Sequence, residues 1–184
     1  MASDSARRLI LLRHAKSAWP DGVPDHDRPL AGRGRRDAPA AGRWLAGSGY
    51  VPDLVLCSTA QRARETWQLA EAELGAHPQT TFEDRVYGAM AAELLDLAHE
   101  MPSSVRTLMM VGHDPAMREL TLELAATQPG SASAEALARV RLKFPTAAIA
   151  VLALASKWSA LGPGQAELVD FMIPGDLRAK YDSG

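Results

Sequence analysis

Residues 9–16 read Leu-Ile-Leu-Leu-Arg13-His14-Ala15-Lys16. Leu9 to Leu12 is a short, unbroken apolar run with no polar alternation, which fits a strand covered on both faces. Leu54-Val-Leu-Cys57, Leu108-Met-Met-Val111 and Ala147–Ala155 have the same character, and Leu168–Ile173 adds a fifth candidate. Between these runs, apolar residues recur at helical spacing. Ala63, Trp67, Ala70 and Leu74 form one stripe, Leu94, Ala98 and Met101 a shorter one, and Met117, Leu120 and Leu124 a third. Strand–helix alternation of this kind predicts a layered α/β fold around a mainly parallel sheet.

Punctuation refines the plan. Asp114-Pro115 reads as a helix start, Asp at the cap and Pro in the first helical position. Gly34 to Ala46 reads as a helix with Pro39 either in its first turn or at a kink. Residues 127–133 and 162–164 read as loops and 174–184 as a tail. No break is long enough to divide the chain, so one domain over 1–184 is expected, with its core at about residues 8–173.

Composition removes several classes. The 184 residues carry 20 basic and 22 acidic side chains, a net charge of −2. No global basic field is present to recruit nucleic acid or an anionic membrane. A single cysteine, Cys57, excludes a disulfide scaffold or a Cys-rich zinc module. Met1 to Leu12 has too short an apolar run for a signal peptide, and the nine residues Ala147–Ala155 cannot span a bilayer as a helix. A soluble, cytoplasmic protein is expected, with a monomer plausible. Among the basic residues 16 are Arg and four are Lys, alongside 33 Ala, a skew that compositional bias explains in bulk. Individual arginines are another matter, because the guanidinium fork suits oxyanions.

In folds of this class, ligands bind beyond the carboxyl ends of the strands. After the first run come Arg13 and His14; after the second, Ser58, Thr59 and then Arg62; after the third, Gly112 and His113. Arginines, imidazoles and helix starts together suit a tetrahedral anion such as phosphate. A neutral imidazole is a competent nucleophile toward phosphorus. Nearby arginines disfavour its protonation and stabilise charge on a phosphoryl group in transfer. No carboxylate cluster stands among the strongest members of this group, and no HExxH, GxxxxGK[ST] or complete GxGxxG motif is present. A cysteine phosphatase needs Cys-x5-Arg, whereas Cys57 precedes Arg62 by x4 and Arg64 by x6. Cys57 is therefore read as a small core residue.

These residues resemble a known family. Arg13-His14 resembles the Arg-His-Gly signature of the histidine phosphatase superfamily, Ser58-x-x-x-Arg62-x-x-x-Thr66 its second motif and Gly112-His113 its third. His26-Asp-Arg28-Pro-Leu-Ala-Gly-Arg-Gly34 and Phe144-Pro-Thr-Ala-Ala-Ile-Ala are similar to its SixA-type phosphohistidine phosphatase branch. The resemblance implies a three-layer α/β/α sandwich of phosphoglycerate mutase type. It implies His14 as the nucleophile, transiently phosphorylated, with Arg13, Arg28, Arg62 and His113 holding the phosphate, and no metal or cofactor. The implied reaction is hydrolysis of a phosphoric monoester or phosphoramidate, with protein phosphohistidine as substrate. A broad small-molecule phosphatase or mutase is the alternative, and a non-catalytic phosphate-binding module a third. Ala15 departs from the motif glycine and would be strained at a positive φ. Asp84 stands three residues before Tyr87-Gly88, where mutase-like members carry their acid, with Glu83 beside it. A phosphohistidine substrate lessens the need for that acid, because imidazole leaves more readily than an alkoxide.

Other groups read more plainly. Asp25-His26-Asp27 resembles a metal cluster on paper but is expected to be a solvated loop, and Arg33, Arg35 and Arg36 a solvated helix start. Lys16 and Ser17 are candidates for the pocket mouth. The tryptophans form no stacking ladder for nucleic acid, and His77 and His99 read as surface residues.

Overall fold

Leu9 to Leu12 are fully buried in β1 (Arg7–Arg13) of a computed structural model that describes residues 6–127 and 132–181. The other strands are β2 (Leu54–Ser58), β3 (Gln79–Glu83), β4 (Thr107–Gly112), β5 (Ile149–Leu154) and β6 (Ala166–Met172). They form one sheet in the order β3-β2-β4-β1-β5-β6. The β1–β4, β2–β4 and β2–β3 pairs are parallel. β5 runs antiparallel to both β1 and β6, so it alone is reversed.

The pleat sends alternate β1 side chains to opposite cores. Leu9 and Leu11 pack with Leu108 and Met110 against α3 (Ala91–His99), α4 (Ala116–Leu124) and α5 (Ala132–Leu142). Ile10 and Leu12 pack with Met109 and Val111 against α1 (Gly32–Gly47) and α2 (Gln61–Glu71). Both sheet faces are therefore covered, which is why the strands carry no polar alternation. On the second face α1 and α2 meet backbone to backbone. A Cβ at Gly42 would lie 2.1 Å from the Ala70 carbonyl oxygen, so only glycine fits there.

Several elements depart from the sequence reading. β3, with Gln79, Thr81 and Phe82 exposed, is an addition to the expected strands; a half-wet edge strand has no apolar run to signal it. β5 begins two residues later than the apolar run, after Ala147, which holds φ 61 and donates its N–H to the carbonyls of Arg13 and His14. Pro39 lies in the interior of α1, beyond the first turn. Residues 132 and 133, expected as loop, open α5, and the expected tail contains α6 (Pro174–Tyr181). At Asp114-Pro115 the N-cap of α4 is Pro115 and no side chain caps the helix; Asp114 lines the pocket instead. Among the described residues, no helix is long and apolar enough to cross a membrane.

Candidate active site

β2, β4 and β1 are neighbours, so the residues just beyond their carboxyl ends must converge. The result is a cavity of about 480 Å³ lined by Arg13, His14, Arg28, Arg62 and His113, the five residues singled out from sequence. Lys16 and Ser17 line it as anticipated, and Trp19, Asp25, Tyr87 and Asp114 complete its polar wall with Thr146.

Within this cavity His14 is only 7% exposed. Its Nδ1 is 2.8 Å from the Ala15 carbonyl oxygen. A carbonyl only accepts, so Nδ1 carries the proton and Nε2 keeps its lone pair. Burial lowers the His14 pKa to about 3, assisted by the neighbouring His113, Arg62 and Arg13 and opposed by the Ala15 bond. The His113 ring centroid is 5.2 Å away. Arg62 Nη2, a donor only, faces His113 Nδ1 at 3.4 Å, which leaves Nε2–H to donate to Ser58 Oγ at 2.8 Å. Burial and then the Arg62 charge lower the His113 pKa to about 4.

The motif spacings acquire physical reasons. Thr66 Oγ1 donates back to the Arg62 carbonyl at 2.6 Å and accepts the Ala15 N–H at 2.9 Å. One hydroxyl thereby ties α2 to the loop carrying the nucleophile. Ser58 orients His113, and its Oγ also accepts the Ala60 N–H that precedes α2. Arg13 Nη1 donates to the Phe144 carbonyl at 2.7 Å. The Nε atoms of Arg13 and Arg62 are buried without a hydrogen-bond partner.

Arg28 is held on all sides. Its Nε donates to Asp25 Oδ1 at 3.1 Å, its Nη1 to Ser17 Oγ at 3.0 Å, and its guanidinium lies 3.5 Å over the Trp19 ring. Asp25 itself corrects the sequence reading of a solvated loop. Arg62 Nη2 donates to Asp25 Oδ2 at 3.1 Å, Arg62 Nη1 to the Asp25 carbonyl at 2.7 Å and the Tyr87 hydroxyl to Oδ2 at 2.7 Å. The Tyr87 hydroxyl, followed by Arg62 and Arg28, lowers the Asp25 pKa to about 2. Arg62 and Tyr87 are remote in sequence, so no local signal marks their hold on Asp25. Trp19, 73% exposed at the mouth, likewise has no pattern in the sequence that sets it apart from the other tryptophans.

The remaining candidates fall elsewhere. Glu83 and Asp84 do not line the cavity. Glu83 is bound by Arg85, which also holds Glu100, and Asp84 is exposed. Ala15 is buried against Leu30, Ala38 and Ala147, and the strain considered for it does not arise, since Ala147 is the described non-glycine residue with positive φ. Burial pushes the Cys57 thiol up to about 12, so it stays protonated in the core. His26 bonds Thr59 Oγ1 at 3.0 Å, and no group of three potential metal ligands occurs among the described residues. Arg33 faces Asp37, Arg35 faces Glu65, and His99 is half-buried on the Leu161 carbonyl.

The two lowered histidines make stability depend on pH. Both rings titrate near 6.5 when unfolded but near 3 and 4 when folded. The unfolded chain binds more protons between those values, so stability rises with pH there and is lost on acidification from about pH 7 to pH 4. Each ring contributes up to about 1.4 kcal/mol per pH unit within its window. The urea midpoint is expected to fall steadily over that range and to fall less in His14→Asn. A flat midpoint between pH 6.5 and 4.5 would contradict the two lowered values.

Known proteins extend the comparison. The model of the histidine phosphatase superfamily (branch 1) matches residues 9–106. The uncharacterized protein Rv1276c of Mycobacterium tuberculosis is 43% identical over 163 residues, covering 89% of this chain and 99% of that protein. A structure described as a candidate phosphohistidine phosphatase SixA from Nakamurella multipartitia is 35% identical, with a TM-score of 0.77 over 92% of this chain and 97% of its own. Its counterpart from Agrobacterium tumefaciens is 31% identical, with a TM-score of 0.76 over 94% and 100%.

Proposed function

Since this chain belongs to branch 1 of the histidine phosphatase superfamily, we propose that it is a phosphatase acting through phospho-His14, with protein phosphohistidine as substrate. The observation that carries the reading is a neutral, buried His14, its proton fixed on Nδ1, in one cavity with Arg13, Arg62 and His113. The Nε2 lone pair forms a bond to phosphorus as the bond to the leaving group breaks. Arg13, Arg28 and Arg62 stabilise the phosphoryl oxygens through positioned charge and hydrogen bonds, with His113 beside them in the same cavity. The Nδ1 proton stays on the ring, donated to the Ala15 carbonyl, so the intermediate is a phosphoimidazolium, which water cleaves readily. Side chains and water carry every step within one domain.

Leaving-group chemistry supports the substrate class. The carboxylate most engaged in the cavity, Asp25, has its pKa lowered to about 2, so it is a poor proton donor at neutral pH. Glu83 and Asp84 stand outside the cavity. An alkyl ester would have to expel an alkoxide largely unaided, whereas a phosphohistidine expels imidazole. The likeness to SixA-type structures at 35% and 31% identity adds support. The half-open mouth, where Trp19 stands 73% exposed, favours water over the retained phosphoenzyme that a mutase needs. The test compares kcat/KM for a phosphohistidine-bearing protein with that for a panel of sugar phosphates and other small esters. Preference for the protein is expected; preference for small sugar phosphates by orders of magnitude would overturn the substrate class.

A further inference from the structure

Asp25 takes no part in the transfer steps, yet it is among the most heavily bonded side chains at the cavity. Donors from Arg28, Arg62 and Tyr87 converge on its two oxygens. Arg28 Nη2 adds a further contact at 3.0 Å. Its side chain is 51% exposed and lines the same cavity as His14, which is buried. In-line displacement puts the leaving group on the far side of phosphorus from His14, toward the open mouth. The half-exposed Asp25 carboxylate lies nearer solvent than the buried His14 in that cavity.

We infer that Asp25 faces the departing group and makes the site selective for phosphoryl donors built on a nitrogen base that is protonated while still bonded to phosphorus, and discriminates against donors that expel an anion. The inference rests on the phosphatase reading of this site and sharpens its substrate class. On one side of the transferring phosphoryl group, His14 keeps its Nδ1 proton and donates it to the Ala15 carbonyl. On the other, the leaving imidazole of a phosphohistidine carries a proton on its unphosphorylated nitrogen and has no backbone partner of its own. A carboxylate favours that cationic form. The His14 Nε2 pair forms the new P–N bond, the old P–N bond breaks, its electron pair returns to the leaving ring, and the ring departs as neutral imidazole with its proton in place. An acyl phosphate expels a carboxylate anion instead, and that charge develops beside Asp25. Arg28 and Arg62 give the carboxylate room to act, because a phosphoryl dianion competes for the guanidinium donors that Asp25 holds in the empty site.

The experiment measures kcat/KM for phosphoimidazole and acetyl phosphate, two small donors with good leaving groups of opposite charge character. The wild type is compared with Asp25→Asn and Asp25→Glu. Asp25→Asn is expected to lower the phosphoimidazole-to-acetyl-phosphate ratio about tenfold, the scale of one charge interaction at a half-exposed site. Asp25→Glu, which keeps the charge, is expected to hold the ratio even if both rates drop. A role limited to holding Arg28 and Arg62 would lower both substrates by one factor in Asp25→Asn; an unchanged ratio overturns the inference while leaving the phosphatase reading intact. A ratio lost equally in Asp25→Glu overturns it too, including where Asp25→Asn does not fold. A wild type inert toward phosphoimidazole but active on acetyl phosphate overturns the inference through its premise on nitrogen leaving groups, and a wild type inert toward both removes the phosphatase reading beneath it.

Discussion

His14→Ala is expected to lower kcat/KM for every phosphoryl donor by about 10⁴-fold or more, the scale seen when a covalent nucleophile is deleted. The loss should be catalytic rather than structural. The His14 side chain makes its hydrogen bond to the carbonyl of the adjacent residue, Ala15, so its removal breaks no link between elements. The carbonyl left behind costs about 1–3 kcal/mol at most, and a desolvated ring is removed at the same time. Rapid quenching of the wild type with labelled donor should trap an acid-labile, alkali-stable phosphate that maps to His14 and is absent from the variant. Substantial turnover in a folded His14→Ala protein would sink covalent catalysis at this residue. Inorganic phosphate should still bind the variant, since Arg13, Arg62 and His113 remain.

What makes His14 readable in the sequence is its place after a strand buried on both faces. β1, β2 and β4 announce themselves because each alternates between two apolar cores, and Arg13, His14 and His113 come directly at or after the carboxyl ends of β1 and β4. Arg62 lies in the first turn of α2. β3 is silent because an edge strand with exposed residues has little apolar pattern. The reversed direction of β5 is silent because a strand's direction is set by the path of the chain around it, not by its own side chains. α5 buries only Leu137 and Val140 among its described side chains, too thin a stripe to extend a helix back to Ala132. Asp25 is illegible for a related reason. Its meaning comes from Arg62 and Tyr87, 37 and 62 residues further along, and no local spacing connects them.

Arg62 is where those long-range links meet, and its replacement carries the second large expected effect. Arg62→Ala should lower kcat/KM by about 10³-fold, the upper scale for losing one preorganised donor to a developing oxyanion. Arg62→Lys should restore little of it, because an ammonium cannot match the fork. In the resting site Nη1 binds the Asp25 carbonyl, while Nη2 binds Asp25 Oδ2 and faces His113 Nδ1. A lysine keeps the charge but can hold only part of this geometry. The pKa of His113 separates an electrostatic effect from a general loosening. The Arg62 charge is second only to burial among the causes that lower it, so it should rise in Arg62→Ala and stay low in Arg62→Lys, as read by NMR titration of the ring. If Arg62→Lys kept near wild-type kcat/KM with His113 still low, charge alone would suffice, and the two-pronged hold on Asp25 would have no part in catalysis.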